Sequence, residues 1–256
     1  MSPKWFKVVS TGAPIIFFSY IGCDATSTAA EEAKNPAKDL PCGIIMSLVV
    51  CTVIYIVLSA VMTGMAPWQK LGTAEPMITA LSLADGSPAL INASRFIVAL
   101  GAVIAMSSVL LVFQLGQPRI FMSMARDGLL PPVLARVHPR FRTPYVGTIL
   151  TGLFVAVFAA VANIAEVVDL TNIGTLFAFI LVSAGVIVLR YREPNRVRPF
   201  RAPLVPLTPL ISIFTCLYLM VQLPRITWIR FAIWLVIGLV LYFFYGARHS
   251  RLRNPS

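Results

Sequence analysis

Residues 13–28 read APIIFFSYIGCDATST, and this stretch decides the fold. Ala13 to Cys23 is a mostly apolar run that reaches only about 16 Å as a helix at about 1.5 Å per residue. A hydrocarbon core is about 30 Å thick. Past Gly22 come Asp24, Thr26, Ser27 and Thr28, a polar run that a uniform spanning helix avoids. The stretch reads as a discontinuous membrane helix, with half-helices meeting at exposed backbone. A secretory signal peptide is the rival reading, because Lys4 and Lys7 precede the apolar run and the small residues of DATSTAA follow it. Against it, Gly12 and Pro14 interrupt the start of the run, and Asp24, Glu31 and Glu32 follow closely.

The rest of the chain is membrane-like. Of 256 residues, 58% are hydrophobic and 12% charged, about half the charge of an ordinary soluble domain. Apolar spans run from Gly43 to Met65, Ala93 to Leu115, Tyr145 to Val161, Val167 to Leu189, Leu207 to Leu223 and Phe231 to Gly246. With the broken first segment, they predict an all-α integral membrane protein of about seven membrane helices forming a single membrane domain over residues 1–256.

Seven crossings with the N-terminus outside put fifteen of the 21 Lys and Arg residues in inside loops and six outside. This positive-inside bias predicts a cytoplasmic C-terminus in the plasma membrane. Residues 31–42 read as a cytoplasmic connector with a turn at Asn35 and Pro36, residues 66–92 as an extracytoplasmic loop and 247–256 as a cytoplasmic tail. Within the outer loop, Met77 to Leu83 predicts a short helix on the bundle or at the interface. The prolines of RDGLLPP at Arg126 to Pro132 and REPNRVRPFRAP at Arg192 to Pro203 predict sharp helix exits.

The net charge of +11 lies in short clusters between spans, without the basic and aromatic stripe of a nucleic-acid surface, so no nucleic-acid partner is expected. Cys23, Cys42, Cys51 and Cys216 have no CxxC spacing and read as packing residues. With His138 and His249 as the two histidines and no HExxH, GxSxG or phosphate loop, no enzyme activity, catalytic residue, metal site or cofactor is expected. Asp24 is the outstanding ionisable residue, able to take a proton, meet a cationic ligand or cap the next half-helix. Glu166 and Asp169 read as carboxylates at the start of a helix. Gln114, Gln117, Pro118 and Arg119 read as the polar end of a span, and Ser107 and Ser108 as interhelical hydrogen-bonders.

Three blocks carry a resemblance: FFSYIGCDATSTAAEEAKNPAKDLPCGI at Phe17 to Ile44, QPRIFMSMARDGLLPPVLARVHPRFRTP at Gln117 to Pro144, and VVDLTNIGTLFAFILVSAGVIVLRYREP at Val167 to Pro194. They resemble the amino acid, polyamine and organocation transporter superfamily, specifically its cationic amino-acid transporter branch. The resemblance implies a partial inverted-repeat (LeuT-like) transporter bundle matching the family's sixth to twelfth helices. It further implies substrate-binding roles for Phe18, as an aromatic gate, and for Ser19, Ile21, Gly22 and Cys23, with Asp24 as a proton-coupling candidate. The partners implied are an amino-acid substrate, cationic among the candidates, the lipid bilayer and a separately encoded N-terminal half. The expected function is amino-acid transport as the C-terminal part of a proton-coupled or exchanging secondary transporter, inactive alone. The other expectation is a non-transporting scaffold or regulatory partner of a full-length transporter.

Overall fold

The computed structural model describes residues 4–22, 34–73, 75–84, 86–195, 198, 200 and 202–249. Among the described residues the regular structure is helical, with no strand. The helices are α1 (Lys4–Phe18), α2 (Pro36–Met65), α3 (Pro76–Leu83), α4 (Pro88–Arg126), α5 (Tyr145–Val161), α6 (Ile164–Arg192), α7 (Leu207–Val221) and α8 (Arg225–Leu241). A π-turn at Tyr242–Gly246 extends α8. Four helices, Pro36–Met65, Pro88–Arg126, Ile164–Arg192 and Arg225–Gly246, are long and apolar enough to cross a membrane. The apolar part of α1, α5 and α7 are shorter.

The short α7 still has to cross. Arg230 Nη2 lies 3.0 Å from Glu166 Oε1, so the starts of α6 and α8 share one face of the membrane. Because α6 ends on the other face, α7 returns the chain. Its 15 residues give about 22 Å of helix, so flanking residues must complete the crossing.

Helix starts follow local chemistry. Pro36, Pro76 and Pro88 each open a helix, where a missing N–H has no intrahelical acceptor to lose. The Ser87 hydroxyl accepts from the Leu90 amide at 3.4 Å, and Asn163 Oδ1 accepts from the Ala165 amide at 3.2 Å, each satisfying a first-turn donor. At the far end of α6, Arg198 donates to the carbonyls of Leu189, Glu193 and Pro194, closing a helix terminus.

The helix that carries the second apolar span outruns it: α4 passes through Pro118 and continues to Arg126. Pro118 withholds an N–H from the Gln114 carbonyl, but it is buried against α5, where such a defect is tolerated. The true terminator is Gly128 at φ 80°. Leu129 N–H bonds the Met124 carbonyl at 2.9 Å and Gly128 N–H the Ala125 carbonyl at 3.2 Å, a Schellman motif. Ser107 is corrected too, since its hydroxyl donates to the Val103 carbonyl of its own helix at 2.8 Å. The predicted outer-loop helix is present as α3, packed on α4 and α2, and α5 has the predicted bounds.

Two packed groups result. In one, α1, α7 and α8 pack on α6 around Ile173, Leu176, Cys216, Met220 and Leu223. Phe17 meets Phe179 edge-on at 6.1 Å and Phe177 meets Phe231 at 5.2 Å, geometries that add to apolar burial. In the other, α4 packs on α5 and α3. The α5 surface is small where they meet: an added Cβ at Gly147 would stand 3.3 Å from Pro118 Cβ. Gln114 Nε2 donates to the Thr148 carbonyl at 2.8 Å, and small residues with polar cross-links are how membrane helices approach closely.

Much apolar surface has no partner within the chain. No residue of α2 is buried, and only Gly116, Pro118 and Ala125 are buried on α4. The accessible surface is 18889 Å², whereas a compact 28.0 kDa protein exposes roughly 11,000 Å². Lipid covers the outside of a bundle without enlarging its area. Open faces of α2 and α4 contribute to that excess.

Candidate functional site

The predicted break lies where α1 stops. After Phe18 the amides of Ser19, Tyr20 and Ile21 bond the carbonyls of Ile16, Phe17 and Phe18 at 2.9, 3.0 and 3.1 Å. Each spans three residues instead of four, so the helix tightens and ends. Gly22 follows at φ 128°, a backbone conformation essentially confined to glycine. The helix thus ends here, and its last residues offer polar groups to neighbouring helices.

Those groups meet α2. The Tyr55 hydroxyl donates to the Ser19 carbonyl at 2.8 Å, and the Tyr20 hydroxyl lies 3.1 Å from Thr52 Oγ1. The two tyrosine rings stand edge to face with centroids 5.4 Å apart. From the third side comes α4: a Cβ built on Gly22 would be 3.9 Å from Phe113 Cζ. The break bridges the two packed groups. It attaches to α6 through α1 and faces α2 and α4 at its end.

Of the predicted site residues, Phe18, Ser19, Ile21 and Gly22 fall together on this turn, with Phe18 39% exposed and Ser19 carrying the bonded carbonyl. Cys23 and Asp24 lie outside the described residues. Thr52, Tyr55 and Phe113 were missed. Thr52 and Tyr55 are three positions apart inside an apolar span, which puts two hydroxyls on one helix face, and that spacing was the available signal. Phe113 offers no comparable signal among the apolar residues of α4.

The upper part of α1 is held separately. Asn172 Nδ2 donates to the Pro14 carbonyl at 2.8 Å, and the Tyr218 hydroxyl donates to Ser10 Oγ at 2.6 Å. An open cleft of about 440 Å³, lined by Ala37, Lys38, Pro41, Cys42, Ile45 and Phe200, contains none of the break residues. Chemically, the break offers an aromatic ring, hydroxyls and a main-chain carbonyl acceptor, a set suited to binding a small polar molecule.

Helices of spanning length, helix starts sharing a face and a helix that ends in a polar turn define a polytopic membrane protein. The family profile described as Amino acid permease matches residues 2–245; the chain belongs to the amino acid permease family and is a multi-pass membrane protein. It is 44% identical over 252 residues to the branched-chain amino acid permease BcaP of Bacillus subtilis (strain 168), covering 98% of this chain and 53% of that protein. It is also 44% identical over 252 residues to the methylthioribose transporter of the same organism, covering 98% of this chain and 54% of that protein. To the cationic amino acid transporter 4, vacuolar, of Arabidopsis thaliana it is 39% identical over 195 residues, 76% of this chain and 32% of that protein. The chain spans about half the length of the first two relatives.

Proposed function

We propose that this chain forms the break-bearing half of a secondary amino-acid transporter in the plasma membrane, with its C-terminus cytoplasmic. The observation that carries the reading is the Ser19–Gly22 turn, where the Ser19 main-chain carbonyl meets the Tyr55 hydroxyl of α2 and the Tyr20 hydroxyl lies by Thr52. A carbonyl at a helix break accepts from a substrate ammonium. Every α-amino acid has that ammonium, so this part of the site reads the shared backbone of the substrate and leaves its side chain to other groups. Relatives named for branched-chain amino acids and for cationic amino acids are consistent with selectivity set elsewhere.

Asp24 is the proton-coupling residue in this reading, two positions after the strained Gly22. In the same reading Cys23 is assigned a substrate-binding role. The open faces of α2 and α4 receive elements equivalent to the remaining half of the relatives, and transport requires both halves. Exchange of one amino acid for another is the other coupling mode the site can serve.

The test joins this chain behind the N-terminal half of the Bacillus subtilis branched-chain amino acid permease. Uptake of labelled leucine, lysine and alanine into proteoliposomes is followed with and without an imposed proton gradient, beside the 256-residue chain alone. Uptake by the joined protein and none by the single chain is the expected result. A folded joined protein that moves none of the three would overturn transport, and uptake by the chain alone at an equal rate would overturn the two-half requirement. Retention of full-length permease by a chain that never transports would establish the scaffold role instead.

A further inference from the structure

The connection between α4 and α5 ends in a turn closed from within by one side chain. His138 Nδ1 accepts from the amides of Arg140 at 3.2 Å and Phe141 at 3.3 Å. The His138 amide donates to the Thr143 carbonyl and the Arg142 amide to the His138 carbonyl, both at 2.9 Å. Its ring also lies 5.0 Å from the Phe141 ring and 5.7 Å from that of Tyr145. Arg142 is held at φ 53°, a conformation uncommon outside glycine. The turn is therefore built to one shape.

What that shape presents is Arg140, Phe141 and Arg142. All three are exposed, Phe141 to 68%, and the Arg140 guanidinium sits 5.7 Å from the centre of the Phe141 ring. Among the described residues no carboxylate forms an ion pair with either arginine. From Arg119 to Tyr145 the sequence holds five arginines and one acid, Asp127.

The depth of the turn follows from the length of α5. Its 17 residues give about 26 Å of helix, less than the roughly 30 Å hydrocarbon core. Tyr145, its first residue, consequently lies at the hydrocarbon boundary, and the turn just before it lies at headgroup level. There an open aromatic ring suits the interfacial layer, while paired guanidiniums suit phosphate oxygens.

We propose that the His138-closed turn is a docking site for anionic phospholipid headgroups, with Phe141 entering the interfacial layer and Arg140 and Arg142 binding phosphate. The site depends only on the protein being in a membrane and stands apart from its transport reading.

The experiment uses the full chain in neutral detergent, titrated with phosphatidylglycerol or phosphatidylcholine, with retained lipid counted by native mass spectrometry. The wild type retains phosphatidylglycerol in preference. The double variant Arg140→Gln/Arg142→Gln loses about tenfold to thirtyfold in phosphatidylglycerol affinity, the scale of two basic residues at an anionic surface. Lys70→Gln/Arg95→Gln removes the same charge elsewhere and leaves the preference in place. His138→Leu weakens retention with both arginines intact, and His138→Asn, whose carboxamide oxygen can accept the same amides, preserves it.

Equal retention of the two lipids by the wild type would overturn the proposal and leave the turn to an acidic protein partner. Equal loss in both double variants would reduce the effect to general charge, and displacement of phosphatidylglycerol by millimolar inorganic phosphate would make the turn a free-anion site. Unchanged retention in a folded His138→Leu protein would overturn the role of the closed turn. Should that variant fail to fold, the arginine pair and His138→Asn decide the matter.

Discussion

Asn172 on α6 and Pro14 on α1 are joined by a hydrogen bond of 2.8 Å across 158 residues of sequence. The asparagine is completely buried, and its Oδ1 has no partner among the described residues. A buried carboxamide that satisfies only half its capacity is a burden to the fold. Its benefit is to pin the proline turn of α1, five residues before the break. Asn172→Leu removes both the useful donor and the orphaned acceptor, so the expected loss is modest, about 1 kcal/mol. Asn172→Asp keeps the acceptor and buries a charge, so the thermal unfolding midpoint in detergent falls further. Acidification recovers part of that loss, because a protonated acid again offers Pro14 a donor.

Gly22 separates strain from crowding. Among the described residues a Cβ there would meet nothing nearer than 3.9 Å, yet φ is 128°. Gly22→Ala is expected to destabilise by about 1–3 kcal/mol through the backbone alone. In the joined transporter it also lowers uptake at least tenfold. Trimming Phe113 to leucine gives the new methyl more room and does not rescue either property. Rescue would show that space was the constraint.

The α4–α5 contact makes two glycines unequal. A Cβ added at Gly152 would stand 3.2 Å from Gln114 Nε2, the end of a flexible side chain, while one at Gly147 would stand 3.3 Å from the Pro118 ring and 3.5 Å from Pro118 Cα. Gly147→Ala is expected to lose about 1–3 kcal/mol because the proline cannot yield. Gly152→Ala loses less, since Gln114 can turn away at the expense of its bond to Thr148. Chemical denaturation in mixed micelles, measured for both variants, gives the order.

The Glu166–Arg230 pair predicts topology better than stability. With side chains 35% exposed at Arg230 and 53% at Glu166, the bond is worth below about 1 kcal/mol, and a double-mutant cycle should find little coupling. Single cysteines at the two positions, introduced into a chain lacking its native cysteines, should react with an impermeant maleimide from the same side. A cysteine replacing Arg140 should react from the opposite side.

Those expectations show what periodicity reveals and where it fails. The runs that became α2, α5, α6 and α8 were visible because about 20 uncharged apolar residues have few other uses. The break was visible because Gly22 and the polar residues after it interrupt such a run. The end of α4 was hidden because the apolar run stops at Leu115, whereas the helix continues past Pro118, covered by Gly147, to its stop at Gly128. Ser107 misled for a related reason: inside a helix a hydroxyl finds the carbonyl four residues back as easily as a neighbour. Asn172 gave no warning, because its partner is a main-chain carbonyl far away in sequence. Tyr55 had a local signal in its spacing from Thr52, whereas Phe113 required tertiary placement that one sequence does not encode locally.

Helix α4 has a mechanical consequence. Its 39 residues form a rod of about 58 Å, with Phe113 about 38 Å from its start and about 20 Å from its end. Should the rod pivot beside the Gly22 turn, the α3 end sweeps about twice as far as the His138 end. A lever with unequal arms would then convert a wide swing on one side of the bilayer into a short, stronger displacement on the other, with its fulcrum at the candidate site.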